Sequence, residues 1–275
     1  MQWSRLSASQ RTFTRSLYPV LPLLLALVVL PGARSQGAEN ALPDAPEAQL
    51  ESPDAATLRN TPRNILKDQG GIWTSPFHVH SHDLVWLAPL ALATGAAIAT
   101  DHRTLRDVVT HDANFNNSST DASNVLIGGF IAVPVVLYGI GHFGGDDHAR
   151  ETGILGAEAL VDGVVVEQGM KLIFWRERPG VDQNRGRFFQ SGAGIDSSFP
   201  SSHSVLAWSA ASLIASEYPH PVAEIAVYSL ATGVSLTRLM GQQHFPSDVL
   251  VGSAAGWLIG HYVYRHHHRR ELGGR

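Results

Sequence analysis

Apolar residues in this chain gather into runs of helical length, and nowhere do they alternate with polar residues over the length of a strand. Period-two alternation marks a half-buried strand, and its absence beside such long runs argues against a sheet-based fold. Helices are predicted over residues 84–100, 125–143, 151–175, 204–216, 221–239 and 247–265. The expected fold is therefore all-α, a helical bundle of about six core helices. The stretch 114–124, rich in Asn, Ser and Asp, reads as a polar loop, and 142–147 as a turn. Residues 180–198 read as a glycine-containing loop between two helices.

Residues 84–100 and 125–143 lie at the lower edge of the length needed to cross a bilayer, about 17–20 residues. The run 151–175 is interrupted by Glu158, Asp162 and Glu167, which makes it amphipathic. Residues 204–239 are rich in Ala and Ser and carry Glu217 and Glu224. These features favour helices buried in protein, in a domain that is soluble or attached to the membrane surface.

The N-terminus has the three-part layout of a secretory signal peptide. Arg5, Arg11 and Arg15 lie in an acid-free opening, an apolar run covers 17–30, and Ala33 and Ser35 offer small residues for cleavage. The domain plan is a signal peptide over 1–35, a flexible linker over 36–64, a helical domain over 65–265 and a basic tail over 266–275. Export follows, to the periplasm or the extracellular space. Removing four arginines and no acid moves the formal charge from −4 to −8. A mildly acidic exported chain is a poor partner for nucleic acid. No cysteine is present, which excludes disulfides, thiolate metal sites and thiol nucleophiles. His78, His80 and His82 could ligate a metal from a strand, but they precede a helical run and read as a polar loop. His266, His267 and His268 read as a solvated tail, with metal or anionic lipid as the alternative role.

Chemistry concentrates in three short stretches. Pro200-Ser201-Ser202-His203 stands immediately before the 204–216 run and reads as a helix start. Unpaired N–H groups and a partial positive charge make such a start a ready anion site. His203 is placed to protonate whatever leaves that anion. Upstream, Lys171 and Arg178 are two helical turns apart, and Pro179 marks the helix end. Arg176 and Glu177 lie between them and read as surface residues. Downstream, Arg238 is followed by His244 and Asp248, a spacing that lets a carboxylate hold one ring nitrogen and leave the other free. A His/Asp pair can also bind zinc, but no third ligand stands at a clear spacing.

Read in order, the stretches give K-x6-R-P, P-S-S-H and T-R-x5-H-x3-D. This resembles the signature K-x6-R-P, P-S-G-H, S-R-x5-H-x3-D of the type-2 phosphatidic-acid phosphatase and vanadium haloperoxidase superfamily. The resemblance covers 171–248 and implies a metal-independent phosphatase acting on phosphomonoesters, either lipid phosphates or small soluble ones. It implies that His244 attacks phosphorus and forms a phosphohistidine, with Asp248 orienting its ring. His203 would serve as acid and then as base. Lys171, Arg178, Ser201, Ser202 and Arg238 would hold the phosphoryl oxygens. No cofactor is implied, and vanadate is expected as an inhibitor. Membrane association is compatible with this resemblance, and oligomeric state is left open.

Two positions depart from the pattern. Ser202 replaces a glycine and adds a Cβ where close backbone approach is usual, which would crowd the pocket. Thr237 replaces a serine. Two alternatives accompany the phosphatase reading. One is a haloperoxidase carrying vanadate as its cofactor in the same pocket; the other is a non-catalytic phosphate- or lipid-binding relative.

Overall fold

The computed structural model describes residues 56–190, 192 and 196–268. Seven α-helices make up the described part, and no strand occurs there. They are α1 (Thr61–Thr74), α2 (Leu84–Arg103), α3 (Ala113–Gly144), α4 (Asp147–Phe174), α5 (Ser202–Glu217), α6 (Pro221–Met240) and α7 (Pro246–His267). The all-α expectation holds. The signal segment and most of the linker lie outside the described residues, and α1 begins at Thr61, inside the stretch expected as linker.

The short helix α5 is the hub, packed against α3, α4, α6 and α7. Its core face is built from small residues, including Ala207, Ala210 and Ala211. They pack with Phe130, Val133 and Leu137 of α3 and with Val227, Ala231 and Val234 of α6. The closest pairing is α5 with α7. Gly252, Gly256 and Gly260 recur every four residues on α7, and that spacing puts them on one face. A Cβ at Gly256 or Gly260 would strike the carbonyl oxygen of Val205 or Ser209, so glycine permits this approach of the two backbones. The start of α5 is thereby fixed against the start of α7.

Two expectations about local structure are corrected. The polar stretch 114–124 is helical, and α3 runs unbroken for 32 residues. Asp112 caps it by accepting from the Phe115 N–H at 2.8 Å. Ser119 and Ser123 are buried in the bundle. Packing and a good cap override the weak helix propensity of Asn, Ser and Asp. At the other end of the chain, α7 continues through His267, which is buried and not part of a solvated tail.

Two stretches, Ser81–Val108 and Ala113–Gly144, are long and apolar enough to cross a membrane, judged by length and composition. The apolar run of α2 was expected to be covered by protein. None of its most apolar 18 residues is buried, and Leu84, Val85, Trp86, Leu92 and Ile98 are exposed. Asp101 is the buried residue of α2, and it fastens this helix to the interior of the bundle.

Candidate active site

The site lies where the end of α4 meets the starts of α5 and α7. Helix α4 stops at Phe174 because Trp175 takes a left-handed conformation, with φ 40° and ψ 54°. That turn sends the chain back beneath the helix end and carries Arg176 inward. Arg176, expected on the surface, is 1% exposed. Its Nη1 donates to Asp248 Oδ1 at 2.5 Å and to Ser247 Oγ at 2.6 Å. Its Nη2 donates to Asp101 Oδ2 at 2.6 Å, and its Nε to the Gly186 carbonyl at 3.0 Å. Phe188 and Phe245 cover the guanidinium, with ring centroids 4.5 and 4.3 Å away. The planar fork of arginine suits this pairing with two carboxylates, and no lysine could reproduce it.

Arg176 thus anchors Asp248. The other oxygen of Asp248 accepts the Phe245 N–H at 2.9 Å and lies 3.6 Å from His244 Nδ1. The stronger contact of that nitrogen is to the Ser198 carbonyl, at 2.8 Å. A carbonyl can only accept, so Nδ1 carries the proton and the lone pair of the neutral ring sits on Nε2. The expected carboxylate role is therefore shared, with the Ser198 carbonyl setting the tautomer. His244 is fully buried. Burial holds its pKa below the ordinary histidine value, against the opposing pull of Asp248.

His203 stands in the first turn of α5, half-buried, with Nε2 3.0 Å from Asn124 Oδ1. Asn124 comes from the segment of α3 that was expected to be a loop. Burial, then the charges of Arg238, His244, Lys171 and Arg178, pull His203 down to about 3. The residues of all three stretches therefore act on one point. Arg238 is nearly buried; burial and the Arg178 charge lower it to about 10. Its Nη1 donates to Ser123 Oγ at 3.2 Å, while its buried Nε has no hydrogen-bond partner among the described residues. Arg178 lies beyond the helix end and not on its face. It is held by the Asp196 carbonyl at 2.8 Å and the Gln243 carbonyl at 3.3 Å.

The hydroxyls of the two serines are engaged within the protein. Ser201 is fully buried, and its hydroxyl caps α5 by accepting from the Ser204 N–H. Its own N–H donates to the Asp248 carbonyl at 3.1 Å, which ties α5 to α7. Ser202 turns its hydroxyl toward Lys171, accepting from Nζ at 2.6 Å and donating to Glu167 Oε2 at 3.0 Å. Glu167 also pairs directly with Lys171 at 3.1 Å. The first-turn N–H groups of Ser202 and His203 have no acceptor within the helix. They complete an electropositive corner suited to a tetrahedral oxyanion.

Sequence reading missed Arg176, Asp101, Glu167, Asn124 and the Ser198 carbonyl. Only a charge inside or beside an apolar run hinted at the first three. Nothing local marked the others.

The model of the PAP2 superfamily matches residues 152–272, a span that contains the whole site. A lipid A 1-phosphatase of Porphyromonas gingivalis is 35% identical over 81 residues, covering 29% of this chain and 18% of that protein. No solved structure matches the chain. The matched segment 152–272 carries every residue of the three-part signature, and over that segment the chain is similar to the PAP2 superfamily.

Proposed function

We propose that this protein is a phosphatase of membrane lipid phosphates that works through a phosphohistidine at His244. The observation that carries the reading is a cluster of cationic groups around His203 in which Lys171 is paired with Glu167 while Arg178 and Arg238 have no carboxylate partner among the described residues. Burial and then four cationic or protonatable groups depress His203, and the Nε of Arg238 has no acceptor among the described residues. A phosphate dianion supplies the missing charge and the missing acceptors.

In the first step the Nε2 lone pair of His244 attacks phosphorus, the P–N bond forms, and the bond from phosphorus to the leaving oxygen breaks. His203 gives its proton to that oxygen. Its low pKa in the free site does not oppose this role, because a bound dianion offsets the surrounding cations and raises it. In the second step water attacks phosphorus, His203 takes its proton, and the P–N bond breaks. Inorganic phosphate leaves and both histidines return to their starting states. Arg238, Arg178 and the first-turn N–H groups stabilise the equatorial oxygens during both displacements.

Several features support a lipid substrate. Helix α2 exposes an apolar face, and two stretches have membrane-crossing length and composition. An apolar groove of about 520 Å³, lined by Trp86, Trp208, Leu239, Pro246, Leu250 and Trp257, runs beside the site. Leu239 follows Arg238 directly, and Pro246 lies two residues after His244. The match to a lipid A phosphatase points the same way. The signal layout of the N-terminus supports a site on the outer side of the membrane.

The test compares phosphatidate and a lipid A phosphate in detergent micelles with a soluble nitrophenyl phosphate, each with and without vanadate. Faster turnover of the lipids, blocked by vanadate, is expected. Preference for the soluble ester would refute the lipid assignment. Failure to trap phosphate on His244 after rapid quench would refute the covalent mechanism.

A further inference from the structure

A second cluster of ionisable groups lies far from the phosphate corner. Asp68 of α1, Glu158 of α4 and His267 of α7 are all buried. His267 Nε2 is 2.9 Å from each oxygen of Asp68 and 3.4 Å from Glu158 Oε1. One donor atom from each residue lies within 4.8 Å of the others. From Asp248 to His267, α7 rises by about 28 Å at ~1.5 Å per residue, so the two sites stand apart.

The acidic grouping alone would not define a site. The second observation is Glu158, which is 0% exposed and whose carboxylate oxygens make no well-formed hydrogen bond among the described residues, with the Asn64 side chain beside them. One of them faces the same imidazole nitrogen as Asp68. Nearby Asp162 is equally buried. It accepts from Gln69 through Oδ1, while Oδ2 has no partner among the described residues. Two buried carboxylates therefore converge on one imidazole, with a third close by. Burial pushes Glu158 up to about 8 and Asp162 up to about 7, so without a cation these carboxyls hold protons, and a bound cation would displace them. The spacing suits a small cation. Metal–ligand bonds of ~2.0–2.1 Å place neighbouring donors about 3.0–3.4 Å apart, and the separations of His267 Nε2 from Asp68 and Glu158, 2.9 and 3.4 Å, fall in or just below that range.

We propose that Asp68, Glu158 and His267 bind a divalent transition-metal cation, with Asp162 as a neighbouring carboxylate. The donors are nitrogen and oxygen only, which suits Zn²⁺ or Mn²⁺ and not a thiophilic ion. The ion clamps α1 and the last turn of α7 onto the middle of α4. It is structural and takes no part in phosphoryl transfer.

The test uses the full chain in detergent, stripped with a chelator and dialysed into metal-free buffer. Zn²⁺ is then added while binding stoichiometry and thermal unfolding are measured, and Co²⁺ is substituted for its visible spectrum. One tightly held equivalent, a rise in Tm and a Co²⁺ band of nitrogen and oxygen ligation are expected. Glu158→Gln and His267→Ala should each abolish that equivalent. His266→Ala should keep it, which separates the buried site from the exposed histidines, and so should His244→Ala, which separates it from the phosphatase reading. No stoichiometric binding by the native chain overturns the proposal, as does binding that survives both Glu158→Gln and His267→Ala. Should those variants not fold, the stoichiometry and Co²⁺ spectrum of the native chain decide the matter.

Discussion

Replacing Arg176 by methionine tests the claim that a buried guanidinium holds the catalytic end of the bundle together. Methionine keeps the aliphatic bulk between Phe188 and Phe245 but leaves Asp101 and Asp248 without their cation. Removing one partner of a buried ion pair costs about 3–5 kcal/mol, because the other charge stays buried and unpaired. Two carboxylates lose their partner here, so the loss belongs at the upper end of that range. For a domain of this size 1 kcal/mol corresponds to about 2–4 °C, so Tm should fall by roughly 10–20 °C. Turnover of a nitrophenyl phosphate should fall as well, since Asp248 no longer has a fixed position beneath His244. Asp101→Asn gives the internal control. In the native background it weakens a 2.6 Å ion pair and destabilises; in the Arg176→Met background it removes an orphaned charge and restores part of the loss. Thermal unfolding followed by tryptophan fluorescence, with nitrophenyl phosphate kinetics, reads both effects. A Tm within 2 °C of the native protein, or an equal cost of Asp101→Asn in both backgrounds, would refute the reasoning.

The two histidines should separate by what they leave behind. His244→Ala should abolish turnover with no phosphoryl-enzyme, whereas His203→Ala should slow turnover by about 10²–10⁴-fold and accumulate acid-labile phosphohistidine, most visibly with a good leaving group. Ser202→Gly installs the glycine of the pattern this chain resembles but removes the hydroxyl that joins Lys171 to Glu167. A hydrogen bond to a charged group is worth about 1.5 kcal/mol or more, so kcat/KM should drop about tenfold, and a faster variant would show that the Cβ obstructs the pocket after all. In the pH profile, His244 must be neutral to attack, and its pKa is held below the ordinary value. The acid limb of kcat/KM should therefore fall below pH ~6.5, the unperturbed histidine value, and kcat should decline at higher pH as the phosphate-bound His203 loses its proton. An acid limb at or above that value would contradict the assigned environment of His244.

The sequence by itself determined the helical class, because apolar runs this long, with no alternation, exceed the length of a buried strand and fit helices. It also marked out the residues to which we assign the chemistry. Lys171, Arg178, His203, Arg238, His244 and Asp248 sit in short stretches whose spacing is a local property of the chain. What those stretches could not show is how the residues are held. The inward turn of Arg176 depends on one left-handed residue, Trp175, and on two carboxylates that come from positions 101 and 248. The tautomer of His244 depends on a carbonyl 46 residues away. Ser201 became a cap and Ser202 a bridge because Glu167, on another helix, reaches the second and not the first. Asn124 reaches the site because packing and a good cap keep 114–124 helical against its own propensity. The same holds for His267, which the sequence places in a basic tail and the bundle draws under Asp68 and Glu158. In each case the deciding term is the burial of a charge or polar group. Its cost and its partner are set by residues distant in sequence, and only the tertiary structure brings them together.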